Sequence, residues 1–295
     1  MQDFVNFYFI PGLVLGCIYA LGAVGLSMLY GILRFAHFAH GDLMTVGAYL
    51  ALAMVLGFGF SAYGALPVAI AGTIVLALAI DRLFYRPLRN QSPAVLLISG
   101  FGIALMVRAL VLFFWGPETE VYQTGIQTPL VWEGWRIQQR HIWILLITAS
   151  LAVALHLFLS RTRTGKAMRA MSDNADLARV SGIPADRVIR WTWVIGAGLA
   201  AIAGVLLGID TQLSPQMGWN ILLAMFAAAI LGGIGKPFGA FAGGLILGLA
   251  EELASAPIFF GAPLITPDYK IGVAFVIMVA MLIFRPTGLF RGQVL

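Results

Sequence analysis

Long apolar runs separated by short charged segments dominate the chain. Val5 to Leu33 carries no formal charge, and neither does Leu43 to Ile80. A helix needs only about 20 such residues to cross a bilayer. The first run therefore predicts one span, and the second predicts two, with "GFGFSAYGALP" as the turn between them. Further apolar blocks run from Pro93 to Trp115, Ile142 to Leu159, Trp191 to Ile209, Ile221 to Gly235, Pro237 to Ala250 and Ile271 to Phe284. The last is short, but Lys270 and Arg285 flank it and can snorkel to the two interfaces. The pattern predicts an all-α polytopic membrane protein of about eight or nine transmembrane helices, with residues 1–295 forming a single transmembrane domain. One region stays open between two readings: Ile221 to Ala250, where "LGGIGKPFGAFAGG" is either a turn between spans or a re-entrant kink. Broken helices at membrane depth are tolerated where they line a cavity.

Composition agrees, since 60% of the 295 residues are apolar and 11% are charged, against about 25% charged in a soluble domain. Charge position then orients the chain. Basic residues gather in Asp81–Ser92 (three), Arg161–Arg190 (seven) and the tail from Arg285 (two), with single ones at Arg34 and Lys236. The segments Gly116–His141 and Glu251–Lys270 hold three between them. The positive-inside rule assigns the first set to the cytoplasm, so the C-terminus is expected inside and, with nine crossings, the N-terminus outside. No basic residue precedes the first run and no small-residue cleavage site follows it, so it reads as a retained span. Basic residues of this kind set topology, and nucleic acid is not an expected partner. Cys17 is the single cysteine, which excludes an intrachain disulfide or a cysteine-rich metal site.

Glycines recur four apart at Gly12 and Gly16, Gly204 and Gly208, Gly239 and Gly243, and Gly244 and Gly248. Such spacing lets helix backbones approach closely. A polar, kink-prone stretch precedes an apolar helix in each half, "RFAHFAHGD" and "DTQLSPQMGWN". Internal duplication of this sort is common in transporters, with sites near the repeat interface.

The stretch "ILRFAHFAHGDL", residues 32–43, admits four readings. His37 and His40, three apart, could share a helical face and ligate a metal with Asp42, although nothing else completes a ligand set. Intramembrane ionisable groups also suggest a proton relay, yet the further members, Arg108, His156 and Asp210, fall near expected span ends where water reaches them. His40 and Asp42 could instead cap the next helix at the cytoplasmic mouth, with Arg34 as an interface anchor. Lastly, a polar kink could line a substrate route, with helix-end N–H groups available to an anion.

The one sizeable polar element is "RTRTGKAMRAMSDNADLARVSGIPADRVIR", residues 161–190. Ala167, Met168, Ala170 and Met171 fall on one side of a short helix. Asp173 or Asn174 can cap a second helix through Leu177, Ala178 and Val180, Gly182 can end it, and Pro184 suits the start of the next span. The residues leave it open whether this structured loop merely sets topology or docks a partner. Neither Gly165-Lys166 nor Gly235-Lys236 has the upstream glycine or following hydroxyl of a P-loop, so ATP energy, if used, must come from another subunit.

Four blocks in order, "YGILRFAHFAHGDLMTVGAYLAL", "TGKAMRAMSDNADLARVSGI", "AILGGIGKPFGAFAGGLILGLAE" and "FRPTGLF", make the chain resemble the LivH-type permease of branched-chain amino acid ABC importers. The resemblance spans nearly the whole sequence. It implies a non-catalytic permease domain in a bacterial inner membrane, paired with a LivM-type permease, two cytoplasmic ATPases that use ATP and Mg, and a periplasmic binding protein. This chain itself would bind no metal or cofactor. Gly165, Arg169, Ala170, Asp173 and Gly182 fall in the segment corresponding to the family's cytoplasmic coupling region, which favours the docking reading of 161–190. Phe38, Ala39, His40, Gly41 and Asp42 match the FAHGD block and become candidate substrate-pathway residues. His37 stands where family members often carry asparagine, which argues against a shared two-histidine metal site. Relatives that carry urea or short amides leave the substrate open, and an ion-coupled transporter or channel is the rival from another class.

Overall fold

The computed structural model describes residues 2–122, 128–132, 135–257, 265–266, 269–290 and 292. Arg291, one of the two basic tail residues, lies outside them. In chain order the elements are α1 (Gln2–Leu33), α2 (His40–Phe58), α3 (Leu66–Leu88), α4 (Pro93–Trp115), an antiparallel hairpin β1 (Leu130–Trp132) and β2 (Trp135–Ile137), α5 (Gln139–Arg161), α6 (Arg163–Asp173), α7 (Ala175–Val180), α8 (Ala185–Asp210), α9 (Met217–Gly232), α10 (Pro237–Ala254) and α11 (Ile271–Phe284). Among the described residues, seven of the helices, α1 to α5, α8 and α10, are long and apolar enough to cross a membrane, while α9 and α11 are apolar but shorter. The chain is a multi-pass membrane protein.

Local chemistry sets the boundaries. Proline opens α3, α4 and α10 within the first two positions, where its missing N–H costs no helical bond. Gly59 and Gly233 close α2 and α9 at positive φ. Asn174 caps α7 by accepting from the Leu177 N–H at 3.0 Å, Thr162 caps α6 through the Gly165 N–H at 2.9 Å, and Gly182 ends the hairpin at φ +84°. Met168 and Met171 are buried, as the spacing predicts.

Small residues carry the tightest packing. α1 and α10 run antiparallel, with Gly16 against Leu245 and Gly248, and Ala20 against Gly244. A Cβ on Gly248 would fall 2.2 Å from the Gly16 nitrogen. Gly232 of α9 meets Gly239 of α10 as closely, and Gly233–Lys236 forms the connection between them. The ambiguous "LGGIGKPFGAFAGG" is thus a turn between two helices. α8 packs on α1, α2 and α3 at the centre of the bundle, where most of its side chains are buried.

The basic segments collect at one end. There Arg34 donates to the Ser172 carbonyl (2.9 Å), Arg89 pairs with Asp81 and Asp186, and Lys236 pairs with Asp173 (3.3 Å). At the other end Asp210 lies beside Arg140 and His141, and Asn6 accepts from the Arg136 N–H.

Candidate functional site

Two helix breaks of six residues each meet inside the bundle. α1 stops when Arg34 adopts φ +60°, the single non-glycine positive φ among the described residues, with its N–H still donating to Tyr30. Residues 34–39 then climb back into the bundle, and α2 starts at His40 beside the middle of α1. There the His40 Nε2 lies 3.1 Å from the Gly22 carbonyl oxygen, and the ring packs on Gly25. Gly22 is 11 residues before the end of α1, roughly 16 Å up the helix. Six extended residues span at most about 20 Å, which suffices. From the opposite end, α8 stops at Asp210 and residues 211–216 descend to α9. Leu213 exchanges backbone hydrogen bonds with Glu120 at 2.8 and 2.9 Å.

The starts of α2 and α9 touch. A Cβ on Gly41 would lie 2.5 Å from the Gly218 carbonyl oxygen, and one on Gly218 would lie 1.9 Å from that of Gly41. Thr45 bridges the crossing, accepting from the Gly218 N–H (3.1 Å) and donating to the Gly41 carbonyl (3.3 Å). The two polar stretches that echo each other in sequence are therefore the two breaks.

Beside the crossing, Arg108 of α4 grips Asp42 with two hydrogen bonds, Nε to Oδ1 at 2.9 Å and Nη2 to Oδ2 at 3.2 Å. Their side chains are 14% and 1% exposed, and the guanidinium also sits 4.7 Å from the Trp219 ring centre. One ion pair thus ties α2 to α4 and, through the ring face, to α9. Arg108 is seven residues inside α4, so the expectation that water solvates it near a span end is corrected. Asp210 does sit at a helix end.

His37 and His40 do not share a helical face, because the helix begins only at His40. The Nδ1 of His37 lies 3.0 Å from the Tyr85 hydroxyl, and its ring stands edge-on to Trp193, on which Tyr85 stacks. His40 is buried inside the bundle rather than at a mouth, and Arg34, exposed at the basic end, donates to the α6 backbone. Capping is corrected too: no side chain caps α2 at Ala39. Of the five candidate pathway residues, Ala39, His40, Gly41 and Asp42 are buried, and Phe38 alone is partly exposed. Phe38 lies 5.3 Å from Phe226 and 6.5 Å from Phe101, which meets Trp219 at 5.7 Å. These rings form an aromatic face on α4 and α9.

The candidate coupling residues lie at the basic end. Gly165 makes the corner between α5 and α6, where a Cβ would meet the Phe158 carbonyl oxygen at 2.2 Å. Arg169 and Asp173 are exposed and Ala170 is half-buried. Together with Met28, Ile32 and Lys236, Arg169 and Asp173 border a cavity of about 300 Å³ under α6. Two apolar side chains of α7, Leu177 (64% exposed) and Val180 (87%), project from this polar hairpin.

Glu251 and Glu252 end an apolar block, a position at which outside water is the expected surrounding; Glu251 is instead 1% exposed and accepts from the Tyr19 hydroxyl at 3.0 Å. Glu252 pairs with Lys270, which stands just before α11.

The sequence matches the family described as "Branched-chain amino acid transport system / permease component" over residues 8–282. The chain belongs to this family. Among permease relatives, the high-affinity branched-chain amino acid transport system permease protein BraD of Pseudomonas aeruginosa is 35% identical over 98% of this chain and 95% of its own. LivH of Escherichia coli K12 is 36% identical over 94% and 92%. In fold, the permease resembles a solved structure of PsaBC from Streptococcus pneumoniae (TM-score 0.54, 13% identity, 97% of this chain and 95% of that one).

Three members of the permease's break site escape sequence reasoning. Tyr85 and Trp193 look like ordinary apolar positions, and Gly218 is one glycine among 34. The partner of Asp42 carried a signal: Arg108 is the single charge in "PAVLLISGFGIALMVRALVLFFW", and a lone intramembrane arginine calls for a counter-ion.

Proposed function

We propose that this chain is the permease subunit of an ATP-driven importer that moves branched-chain amino acids across a bacterial inner membrane. It crosses nine times, N-terminus outside and C-terminus in the cytoplasm, with residues 1–295 as one permease domain. The observation that carries the reading is the family match over residues 8–282. The gathering of basic segments at one end supports the orientation.

Two cytoplasmic ATPases, holding the ATP and Mg, dock on residues 161–190, and this chain performs no covalent chemistry. The projecting Leu177 and Val180 suit an apolar groove on such a partner. Gly165, Arg169, Ala170, Asp173 and Gly182 shape and hold the hairpin that receives the push. Substrate comes from a periplasmic binding protein and passes along the aromatic face, between this chain and a LivM-type permease. Phe38 contributes directly to that face, and Ala39, His40, Gly41 and Asp42 set the geometry of the break behind it. Rings without formal charge suit aliphatic side chains, and ATP must favour one state over the other for anything to move.

Proteoliposomes with this chain alone, and then with the partner permease, ATPases and binding protein, test the reading with labelled leucine, urea and glutamate. Leucine uptake by the full set with ATP on the ATPase side is expected. Ion-driven uptake by the lone chain, without ATP, refutes it.

A further inference from the structure

The geometry points to a second ligand site on this chain: a pocket for the zwitterionic headgroup of a phospholipid, at the end of the bundle remote from the basic loops. A cavity of about 600 Å³ opens there between α3, α5 and α8, within the size range of small-ligand sites. Its lining mixes two chemistries: Tyr63, Gln139, Arg140 and Thr211 are polar or charged, and Leu66, Trp143 and Ile147 are apolar.

The polar part of the lining has unused bonding capacity. The Tyr63 hydroxyl is buried and makes no hydrogen bond. Burial pushes it above the usual tyrosine range, with Arg140 pulling the other way, so it is a neutral donor. Arg140 lies 3.5 Å from Asp210, too far for a good hydrogen bond, and its Nε has no hydrogen-bond partner. Asp210 also faces His141 at 3.3 Å. A cation of the lining thus stands beside an anion just behind it, Asp210, and the Arg140 Nε is left without a hydrogen bond. A phosphodiester can accept from Arg140 and Tyr63, and an ammonium a few bonds away can reach Asp210.

The apolar part of the lining suits a ligand that comes from the bilayer. α3 and α5 are among the least buried of the seven long helices, and Val68, Trp143 and Leu146 present apolar surface outward at 45%, 46% and 53% exposure. Tyr63 and Trp143 pair at 6.0 Å where the charged groups begin, the position of an interfacial aromatic belt. An acyl chain can follow Trp143 and Ile147 from the headgroup. The cavity is built from other helices than the α4–α9 aromatic face, so it lies off the proposed substrate route. Phosphatidylglycerol supplies the phosphate without the ammonium and leaves Asp210 unmatched, so phosphatidylethanolamine should win.

The test is native mass spectrometry of the intact transporter released from nanodiscs of equimolar dioleoyl phosphatidylethanolamine and phosphatidylglycerol. One phosphatidylethanolamine per copy of this chain should survive delipidation. Arg140→Gln should reduce its retention about tenfold, the scale of a lost charge-assisted bond pair. Tyr63→Phe, a change too mild to unfold the chain, should reduce it several-fold, and Asp210→Asn should abolish the preference between the two lipids. Equal retention in wild type, R140Q and Y63F would overturn the assignment, as would equal retention of both lipids by wild type. Labelled leucine held by wild type and lost in R140Q would also overturn it and give the cavity to the substrate. The assay reads no transport, so its failure is separable from failure of the importer reading.

Discussion

Replacing Asp42 by asparagine removes one charge from the ion pair that ties α2 to α4. Breaking a buried pair by deleting one partner costs about 3–5 kcal/mol, because the survivor is left uncompensated. Two features reduce that here. The asparagine oxygen still accepts one guanidinium bond, and Arg108, 14% exposed, keeps its place over Trp219. The expected loss is therefore about 2–3 kcal/mol. For a chain of this size each kcal/mol shifts the melting midpoint by roughly 2 °C, so D42N should melt about 4–6 °C below wild type. Arg108→Gln should cost a similar amount by stranding the carboxylate. The double variant D42N/R108Q, with no buried charge, should be less destabilised than the sum of the singles by at least about 1 kcal/mol. Midpoints would be read by fluorescence-detected size-exclusion of the solubilised complex after fixed heating times, since unfolding in detergent is irreversible. An unchanged midpoint for D42N, or strictly additive losses in the double variant, would refute a structural ion pair.

Gly218→Ala places a methyl 1.9 Å from the Gly41 carbonyl oxygen and should abolish monodisperse protein, whereas Gly57→Ala, in open space, should express like wild type; equal yields would refute the crossing. Val180→Asp should cut ATPase co-purification at least tenfold while membrane insertion, read by fractionation, is unchanged. Lys236→Glu should lower uptake more than ATP hydrolysis, and Asp173→Lys in the same chain should restore it, because the exposed pair at 3.3 Å is weak as a stabiliser but fastens α6 to the α9–α10 turn. Charge reversal at Arg169 should weaken ATPase association in the same pull-down and leave insertion intact.

The spans were legible because lipid permits few alternatives. Apolar runs of 20 residues, bounded by arginine or by proline and glycine, leave little but a helix. The α6–α7 hairpin was legible for a different reason: Asn174 and Gly182 are local signals acting within a few residues of themselves, although the Thr162 cap of α6 went unread. What the sequence hides is depth. The run from Arg34 to Asp42 looks like a loop at the membrane surface, and nothing local says that it climbs beside Gly22. That climb depends on α9 arriving from the other end, so that Gly41 can meet Gly218 across a separation of 177 residues. Glu251 was misread similarly. A carboxylate at the end of an apolar block looks solvated until Tyr19, 232 residues away, closes over it.

On the proposed coupling route, the two breaks offer a path from the basic end to the middle of the bundle. Residues 34–39 lack the i to i−4 ladder, so they form the least rigid part of the path between α1 and α2. Their lower end is fastened to α6 by the bond from Arg34 to the Ser172 carbonyl. Ser172 lies against the Gly235 carbonyl oxygen at 3.4 Å, and Gly235 in turn donates its N–H to Ser27 of α1. Their upper end carries His40 and Asp42, held by Gly22 and Arg108. On the proposed coupling route, displacement of α6 must therefore either drag all three helices together or change the break. The Cβ distances at Gly41 and Gly218 leave no slack for sliding there, so the crossing acts as the fixed point. Phe38, in the break and partly exposed, is the side chain through which the break meets the aromatic face.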